Sequence, residues 1–376
     1  MNKKYDVVII GAGAAGMMSA IEAGKRGRRT LLIDHSKKIG EKIRISGGGR
    51  CNFTNINANS SKYISSNPSF IISALNQYSH ESFISLVKKY KIKYHEKKLG
   101  QLFCDNSAQQ IIDMLLKECE LANVTLKIET KVVELNYKEK IFIIRDNMET
   151  YLSSSLIIAT GGLSVPKIGA SKFGYDVAKQ FNLNIIDTSP ALVPLTFNEK
   201  ILNKCKLLAG VSANAIISIN RTFFEEGMLF THRGLSGPSI LQISSYWKEG
   251  DFINIDLCPE KNIYDVLLKN RKKSPKQNIN IIVSSFLAKR LAAIICEENK
   301  ITGNIGELSN KNIKKLAESI NNWIVEPLGT EGYRTAEVTL GGVDTKELSS
   351  KTMMSKKYPG LFYRRNYRCY RTFRWI

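Results

Sequence analysis

Near its start the chain runs Val7-Val8-Ile9-Ile10-Gly11-Ala12-Gly13-Ala14-Ala15-Gly16, continues as a helix-compatible stretch from Met17 to Ala23, breaks at Gly24–Gly27 and resumes as Thr30-Leu31-Leu32-Ile33-Asp34. The first apolar run is short, β-branched and bounded by glycine, the pattern of a strand buried on both faces. Each glycine of the next six residues has a separate job. Gly11 makes the tight turn, Gly13 lets backbone approach a pyrophosphate, and Gly16 lets helix pack on strand. Ala14 and Ala15 open the helix, whose first N–H groups and partial positive charge face the diphosphate. Asp34 stands where a carboxylate binds ribose hydroxyls, which favours an unphosphorylated ribose. Strand, fingerprint, helix, strand and acid in register predict a dinucleotide-binding βαβ unit rather than a glycine-rich turn.

The same residues could be read as a secretory signal, with Lys3 and Lys4 ahead of an apolar core. Asp6, Glu22 and three glycines at fingerprint spacing argue against that. No other uncharged apolar run approaches the ~18 residues that a spanning helix needs. Seven scattered cysteines without a CxxC pair fit a cytoplasmic chain with no metal site. They also exclude a disulfide-reductase flavoenzyme, which needs a close cysteine pair. At 376 residues the chain should hold two or three domains. Its formal charge of +21 would suit a polyanion. Lysine, isoleucine and asparagine are abundant throughout, however, as a uniform coding bias would make them. Only Lys269–Lys276 is dense, and it reads as a solvated loop between domains. Nucleic acid is therefore expected to be an improbable partner, and a small molecule the substrate.

Residues Gly40–Asn55 include Ser46-Gly47-Gly48-Gly49-Arg50-Cys51-Asn52. Three glycines in a row suit neither a helix nor a strand interior. They suit a nest of N–H groups turned toward an anion, with Arg50 as a nearby cation. Cys51 reads as a small buried apolar residue rather than a redox group. Helical segments follow over Pro68–Tyr90 and Ala108–Ala122, then Val124–Ile128 and a hairpin of Lys131–Leu135 with Ile141–Arg145. Leu156-Ile157-Ile158-Ala159-Thr160-Gly161-Gly162 is a further buried strand ending in a small-residue turn. A strand of this kind returning to the nucleotide crevice favours FAD over NAD.

The run Ser46–Asn52, with Ala159-Thr160-Gly161-Gly162-Leu163-Ser164-Val165-Pro166, Leu192-Val193-Pro194-Leu195, Phe230–Pro238, Val338-Thr339-Leu340-Gly341-Gly342-Val343 and Thr352-Met353-Met354-Ser355, resembles the bacterial YhiN/BaiN-type NAD(P)/FAD-dependent oxidoreductases. One branch of that family reduces dehydro bile-acid intermediates. The likeness spans Tyr5 to Phe362; Phe103-Cys104-Asp105-Asn106-Ser107 departs from it. It implies an α/β fold with a split Rossmann-type FAD-binding domain, an inserted β-rich domain and a small helical domain. The expected boundaries are 1–190 for the N-terminal part of the FAD domain, 191–258 with 324–336 for the β-rich domain, 259–323 for the helical domain and 337–362 for the return to FAD. Strand-like Leu192–Phe197, Ala213–Ile219 and Phe252–Ile255, and helical Ile279–Glu298 and Asn310–Trp323, allow this. The expected cofactor-binding set is Gly11, Gly13, Ala14, Ala15, Gly16, Asp34, Lys42, Ser46, Gly47, Gly48, Arg50, Cys51, Asn52, Val133, Thr160, Gly161, Gly162 and Gly342. His232, in the Phe230–Pro238 loop, is the candidate acid–base or substrate-polarising group. The alternative is that it satisfies backbone groups at a turn.

The family pattern stops after Phe362. Residues 363–376 carry five arginines and no acid. Read one base later, an allowed coding of Phe362–Ile376 gives Phe-Ile-Gly-Glu-Ile-Ile-Asp-Val-Thr-Gly-His-Leu-Gly-Gly, which continues the pattern. The expectation is an out-of-frame tail that removes part of the cofactor site. The expected function is FAD-dependent hydride transfer from NAD(P)H to an unsaturated or carbonyl-containing small molecule. The alternatives are a tRNA-acting flavoprotein and a non-catalytic remnant. No second GxGxxG unit distinguishes NADH from NADPH.

Overall fold

A computed structural model describes residues 2–363 and 370–371. The chain divides into two compact units, Met1–Ser189 with the segment from Val338 onward, and Pro190–Glu337. In the first, β1 (Asn2–Ile10) leads into α1 (Ala14–Lys25) and returns as β2 (Thr30–Ile33). The two strands pair in parallel, Val7 with Thr30 through Ile10 with Ile33. All four residues of β2 are buried, which accounts for a continuous apolar run in place of alternation.

The sheet is ordered Thr125–Lys127, β2, β1, Thr150–Ile158, Ile141–Arg145, Glu134–Lys138. Strand Thr150–Ile158 runs parallel to β1. Its other edge is shared: Thr150–Ser153 pair antiparallel with the hairpin strand, and Leu156–Ile158 pair in parallel with Leu361–Tyr363. The chain thus returns to the first unit's sheet after the inserted segment. One sheet face packs on α1 and Gln109–Leu121 through Met17, Ile21, Ile111 and Leu115. The opposite core contains Phe142, Tyr151, Phe181 and Tyr363. Helix Gln109–Leu121 contributes Glu118, a carboxylate that is 1% exposed and held by Lys25 Nζ at 2.6 Å, Lys89 Nζ at 2.7 Å and Tyr90 Oη at 2.8 Å.

The second unit is an antiparallel seven-stranded sheet, ordered Trp323–Val325, Ile253–Asp256, Ser212–Ile219, Thr222–Thr231, Gly234–Ser236, Leu195–Thr196, Gly329–Thr330. Four helices, Ile263–Lys273, Ile279–Val283, Lys289–Glu298 and Asn310–Asn321, share one apolar core with it. Three of them begin at Asn or Ser caps, Asn262, Asn278 and Ser309. Several elements differ from the sequence expectation. Pro68–Tyr90 is broken at Tyr78–Ser79, where Ser79 caps a new helix, His80–Lys89. Leu192–Phe197 narrows to Leu195–Thr196, because Leu192 is left-handed at φ 47°. Ile279–Glu298 is two helices separated by Ser284–Ala288.

Of the expected out-of-frame tail, residues 364–369 and 372–376 lie outside the described residues. Tyr363 is fully buried, and its hydroxyl has no hydrogen-bond partner among the described residues. No helix among the described residues is long and apolar enough to cross a membrane.

Candidate flavin site

The fingerprint loop is built by backbone. Gly11 N–H donates to Ile33 O at 2.8 Å, and Ala159 N–H donates to Ile10 O at 2.8 Å, which closes the loop between three strand ends. Gly11 sits at φ 106°, where a Cβ would also meet Ala159 O at 2.6 Å. At Gly16 a Cβ would stand 1.7 Å from Gly11 O. Gly13 is different: it has extended backbone, and nothing lies within 4 Å of the position its Cβ would take. It precedes α1 with no side-chain cap on the helix. The helix start is thus uncapped beside open space at Gly13, while Ala14 and Ala15 pack partly against the core.

Asp34 is committed more fully than its sequence position suggested. Its Oδ2 accepts from Ala12 N–H at 2.6 Å and its Oδ1 from Ser36 N–H at 2.8 Å. The side chain retains 12% exposure, so the carboxylate ties the fingerprint loop to the end of β2 while keeping an open edge.

Ser46–Gly49 form a single tight turn with Gly47, Gly48 and Gly49 at φ 59°, 68° and 86°. Three left-handed residues in a row are costly for any side chain, which is why glycine fills all three positions. A Cβ at Gly48 or Gly49 would meet nothing, whereas one at Gly47 would strike the Phe103 ring at 2.7 Å. Arg50 is exposed beside it and Lys42 half-buried. Asn52 is buried. Cys51 is wholly buried, and burial pushes its thiol up to about 12, so its side chain packs and any contact with a cofactor falls to its backbone. The divergent Phe103–Ser107 segment braces this turn: Cys104 N–H donates to Arg50 O at 2.9 Å and Ala108 N–H to Gly49 O at 2.8 Å. The same segment carries a pair that sequence reading missed. His95 Nδ1 lies 2.8 Å from Asp105 Oδ1, both half-exposed, with the imidazole stacked on Phe103. Ten residues and a strand turn separate the two, so no local motif announces them.

The third wall is Thr160-Gly161-Gly162. Gly161 has open space at its Cβ, and Gly162 abuts Thr339, whose hydroxyl would lie 2.6 Å from an added Cβ. Thr339 Oγ1 accepts from Ser164 N–H at 3.1 Å and bonds Ser164 Oγ at 2.7 Å, which joins the return strand Val338–Val343 to this turn. Gly342 is buried on that strand at φ 118°. Val165 is left-handed at φ 58°, a strained setting for a β-branched residue just before proline. Val133 is 53% exposed on the segment before the Glu134–Lys138 hairpin strand. Open space over Gly13, Gly48, Gly49 and Gly161, an uncapped helix start and a partly open carboxylate fit a flavin dinucleotide.

His232 belongs to the other unit. It is exposed at the tip between strands Thr222–Thr231 and Gly234–Ser236. The Thr231 hydroxyl closes that tip by donating to Gly234 O at 3.1 Å and accepting from Arg233 N–H at 3.2 Å. Thr231 is thus occupied structurally, and the imidazole makes no hydrogen bond among the described residues.

With this geometry in place, the family model described as "HI0933-like protein Rossmann domain" matches residues 5–364. The chain belongs to this family. It is an FAD-dependent oxidoreductase with a Rossmann-type α/β fold. Two relatives named "Ribosomal RNA dihydrouridine synthase" are similar over nearly the whole chain. The one from Escherichia coli is 48% identical over 96% of this chain and 91% of its own length. The one from Haemophilus influenzae is 43% identical over 96% and 92%. A "3-dehydro-bile acid delta(4,6)-reductase" from Clostridium scindens is 26% identical over 94% and 90%. The names of the first two sit poorly with the expectation of a small-molecule substrate and with the dismissal of nucleic acid, which treated the positive charge as coding bias alone.

Proposed function

We propose that this protein reduces the C5=C6 bond of a uridine in ribosomal RNA to give 5,6-dihydrouridine. The observation that carries this reading is the likeness, over 96% of the chain, to two relatives named for that reaction. The chemistry suits the fold. The uracil C5=C6 bond is conjugated to the C4 carbonyl, so hydride adds at C6 and a proton completes C5. Bound FAD would supply the hydride, with NAD(P)H restoring it.

The chain's own residues have positioning roles. The α1 start and Gly13 hold the diphosphate, Asp34 the adenosine ribose, and the Gly47–Gly49 nest with Arg50 the flavin side. His232 is our candidate for delivering the proton to C5 or polarising the C4 carbonyl, because it is exposed and has no structural duty in its turn. His95, oriented by Asp105 beside the nest, is the alternative. A second reading is a small conjugated enone, favoured by the bile-acid reductase relative; it needs the same hydride addition to a carbon–carbon double bond conjugated with a carbonyl.

The test is anaerobic incubation of FAD-loaded protein with unmodified ribosomal RNA and NADH or NADPH, followed by nucleoside mass spectrometry. Dihydrouridine should accumulate with wild-type protein and fall sharply in His232→Ala or His95→Ala, whichever donates. Protein that reduces a steroid dienone but leaves the RNA unchanged would establish the second reading.

A further inference from the structure

Charge in the second unit is segregated. Residues 261–323 carry 12 Lys or Arg against 5 Asp or Glu, whereas 190–260 with 324–337 carry 7 against 10. A uniform coding bias would enrich both alike. The excess gathers at one end of two packed helices, Ile263–Lys273 and Asn310–Asn321. Arg271 fastens that end, donating from Nη1 to Leu308 O at 3.0 Å and from Nη2 to Asn310 Oδ1 at 2.7 Å. Lys272, Lys273, Lys276 and Lys311 are exposed around it. None of the four has an ion-pair partner among the described residues, while Lys314 is paired with Glu318.

Helix electrostatics explains only part of this. Lys272 and Lys273 lie in a last helical turn, where cations are favoured. Lys311 lies in a first turn that holds no acid at all, where a cation is disfavoured. The intervening loop is also fixed. Gly306 N–H donates to Pro275 O at 2.8 Å and Ile305 N–H to Gln277 O at 2.9 Å, so Lys276 projects from pinned backbone. These lysines form a cationic platform that has no ion-pair partner among the described residues.

We infer that this platform, centred on Lys272, Lys273, Lys276 and Lys311, docks the phosphate backbone of the RNA substrate. The inference rests on the ribosomal RNA reading above and adds where the nucleic acid is held. Phosphate contacts position a nucleic acid without reading its sequence, and each one displaces condensed counterions.

The test compares full-length wild type with K272Q/K273Q/K276Q/K311Q and with the corresponding four-arginine variant, using a ribosomal RNA fragment. Neutralising the four lysines should weaken RNA binding by about 10- to 100-fold near physiological salt, and should flatten the log Kd–log salt slope by roughly 3. FAD content, melting temperature and NAD(P)H oxidation should not change, and the arginine variant should bind as wild type does. Wild-type affinity and slope in the glutamine variant would overturn the inference while leaving the reaction intact. Wild type that binds through these lysines but forms no dihydrouridine would sink the reaction and keep the surface. If the four substitutions release the protein from phosphatidylglycerol vesicles yet spare RNA binding, the surface is a membrane one and the inference fails.

Discussion

Gly13→Val separates cofactor binding from folding, because the two glycines flanking Gly13 in the fingerprint are structural and Gly13 is not. A side chain at Gly16 collides with Gly11 O at 1.7 Å, so that position cannot accept one without moving core backbone. At Gly13 the backbone is extended, φ −81° and ψ −173°, and nothing lies within 4 Å of the new Cβ. The folded apo-protein should tolerate valine there. Its loss as a helix cap costs up to about 1 kcal/mol, offset by about 0.4–1 kcal/mol from a less flexible unfolded chain. The cofactor tells the difference. At a free FAD concentration of about 100 Kd, binding adds about 2.7 kcal/mol to wild-type stability. In a unit of this size that raises the melting temperature by roughly 5–10 °C. Gly13→Val should melt near wild type without FAD and gain nothing when FAD is added, since its isopropyl group fills the space the diphosphate needs. Gly16→Val should melt well below both. Thermal scans with and without FAD, together with flavin absorbance of the purified variants, decide it. Stoichiometric yellow cofactor in Gly13→Val, or an apo melt as low as that of Gly16→Val, would refute the reasoning.

Asp34→Ala should weaken FAD binding by roughly 1.5–3 kcal/mol, the scale of a lost charge-assisted hydrogen bond; an unchanged Kd in a fluorescence titration would mean the open edge of Asp34 does not meet the ribose. Burial by itself pushes the Glu118 carboxyl up, but hydrogen bonds from Lys25, Lys89 and Tyr90 override it and bring it down to about 2. Its contribution is therefore complete above the ordinary carboxylate value of 4.5 and is lost as pH falls from there toward 2. Glu118→Gln should cost on the order of 1–3 kcal/mol at neutral pH and flatten the acid limb of a stability–pH curve measured by urea denaturation. Tyr363→Phe removes a buried hydroxyl that has no partner among the described residues, and should be neutral or stabilising by up to about 1 kcal/mol; a clear loss of stability would show that the hydroxyl is satisfied in solution.

The first βαβ unit was legible because its constraints are local. Gly11 needs positive φ, Gly16 needs clearance and β2 needs burial on both faces, and each leaves its mark on a single residue or short run. The left-handed turn at Gly47–Gly49 was legible for the same reason. Elements whose boundaries depend on one backbone angle were not. Helical periodicity runs through Tyr78, yet the chain breaks there and restarts on the Ser79 cap. Thr222–Thr231 is a long central strand, but Glu225-Glu226-Gly227 interrupts its apolar pattern. At the site, Asp34 announced a carboxylate but not the two N–H groups it holds. The His95–Asp105 pair depends on antiparallel register between Tyr94–Glu96 and Gln101–Cys104, which no spacing rule encodes.

Net charge shows the same limit from the other side. The total of +21 is equally compatible with a biased genome and with a polyanion-binding face, since both raise the same count. What separates them is how the charges are paired. Glu118 sits among two lysines and Glu149 between Lys3 and Lys127, so these four positive charges of the first unit are engaged by local acids. Charges paired in this way are internal to the fold and offer little to a partner. The lysines around Arg271 form no ion pair among the described residues, and one of them occupies a helix start that disfavours it. Four of them stand exposed on or beside backbone that Arg271 and Gly306 fasten. An electrostatic cost of that kind persists when something outside the chain offsets it, and a phosphate backbone does so at each contact.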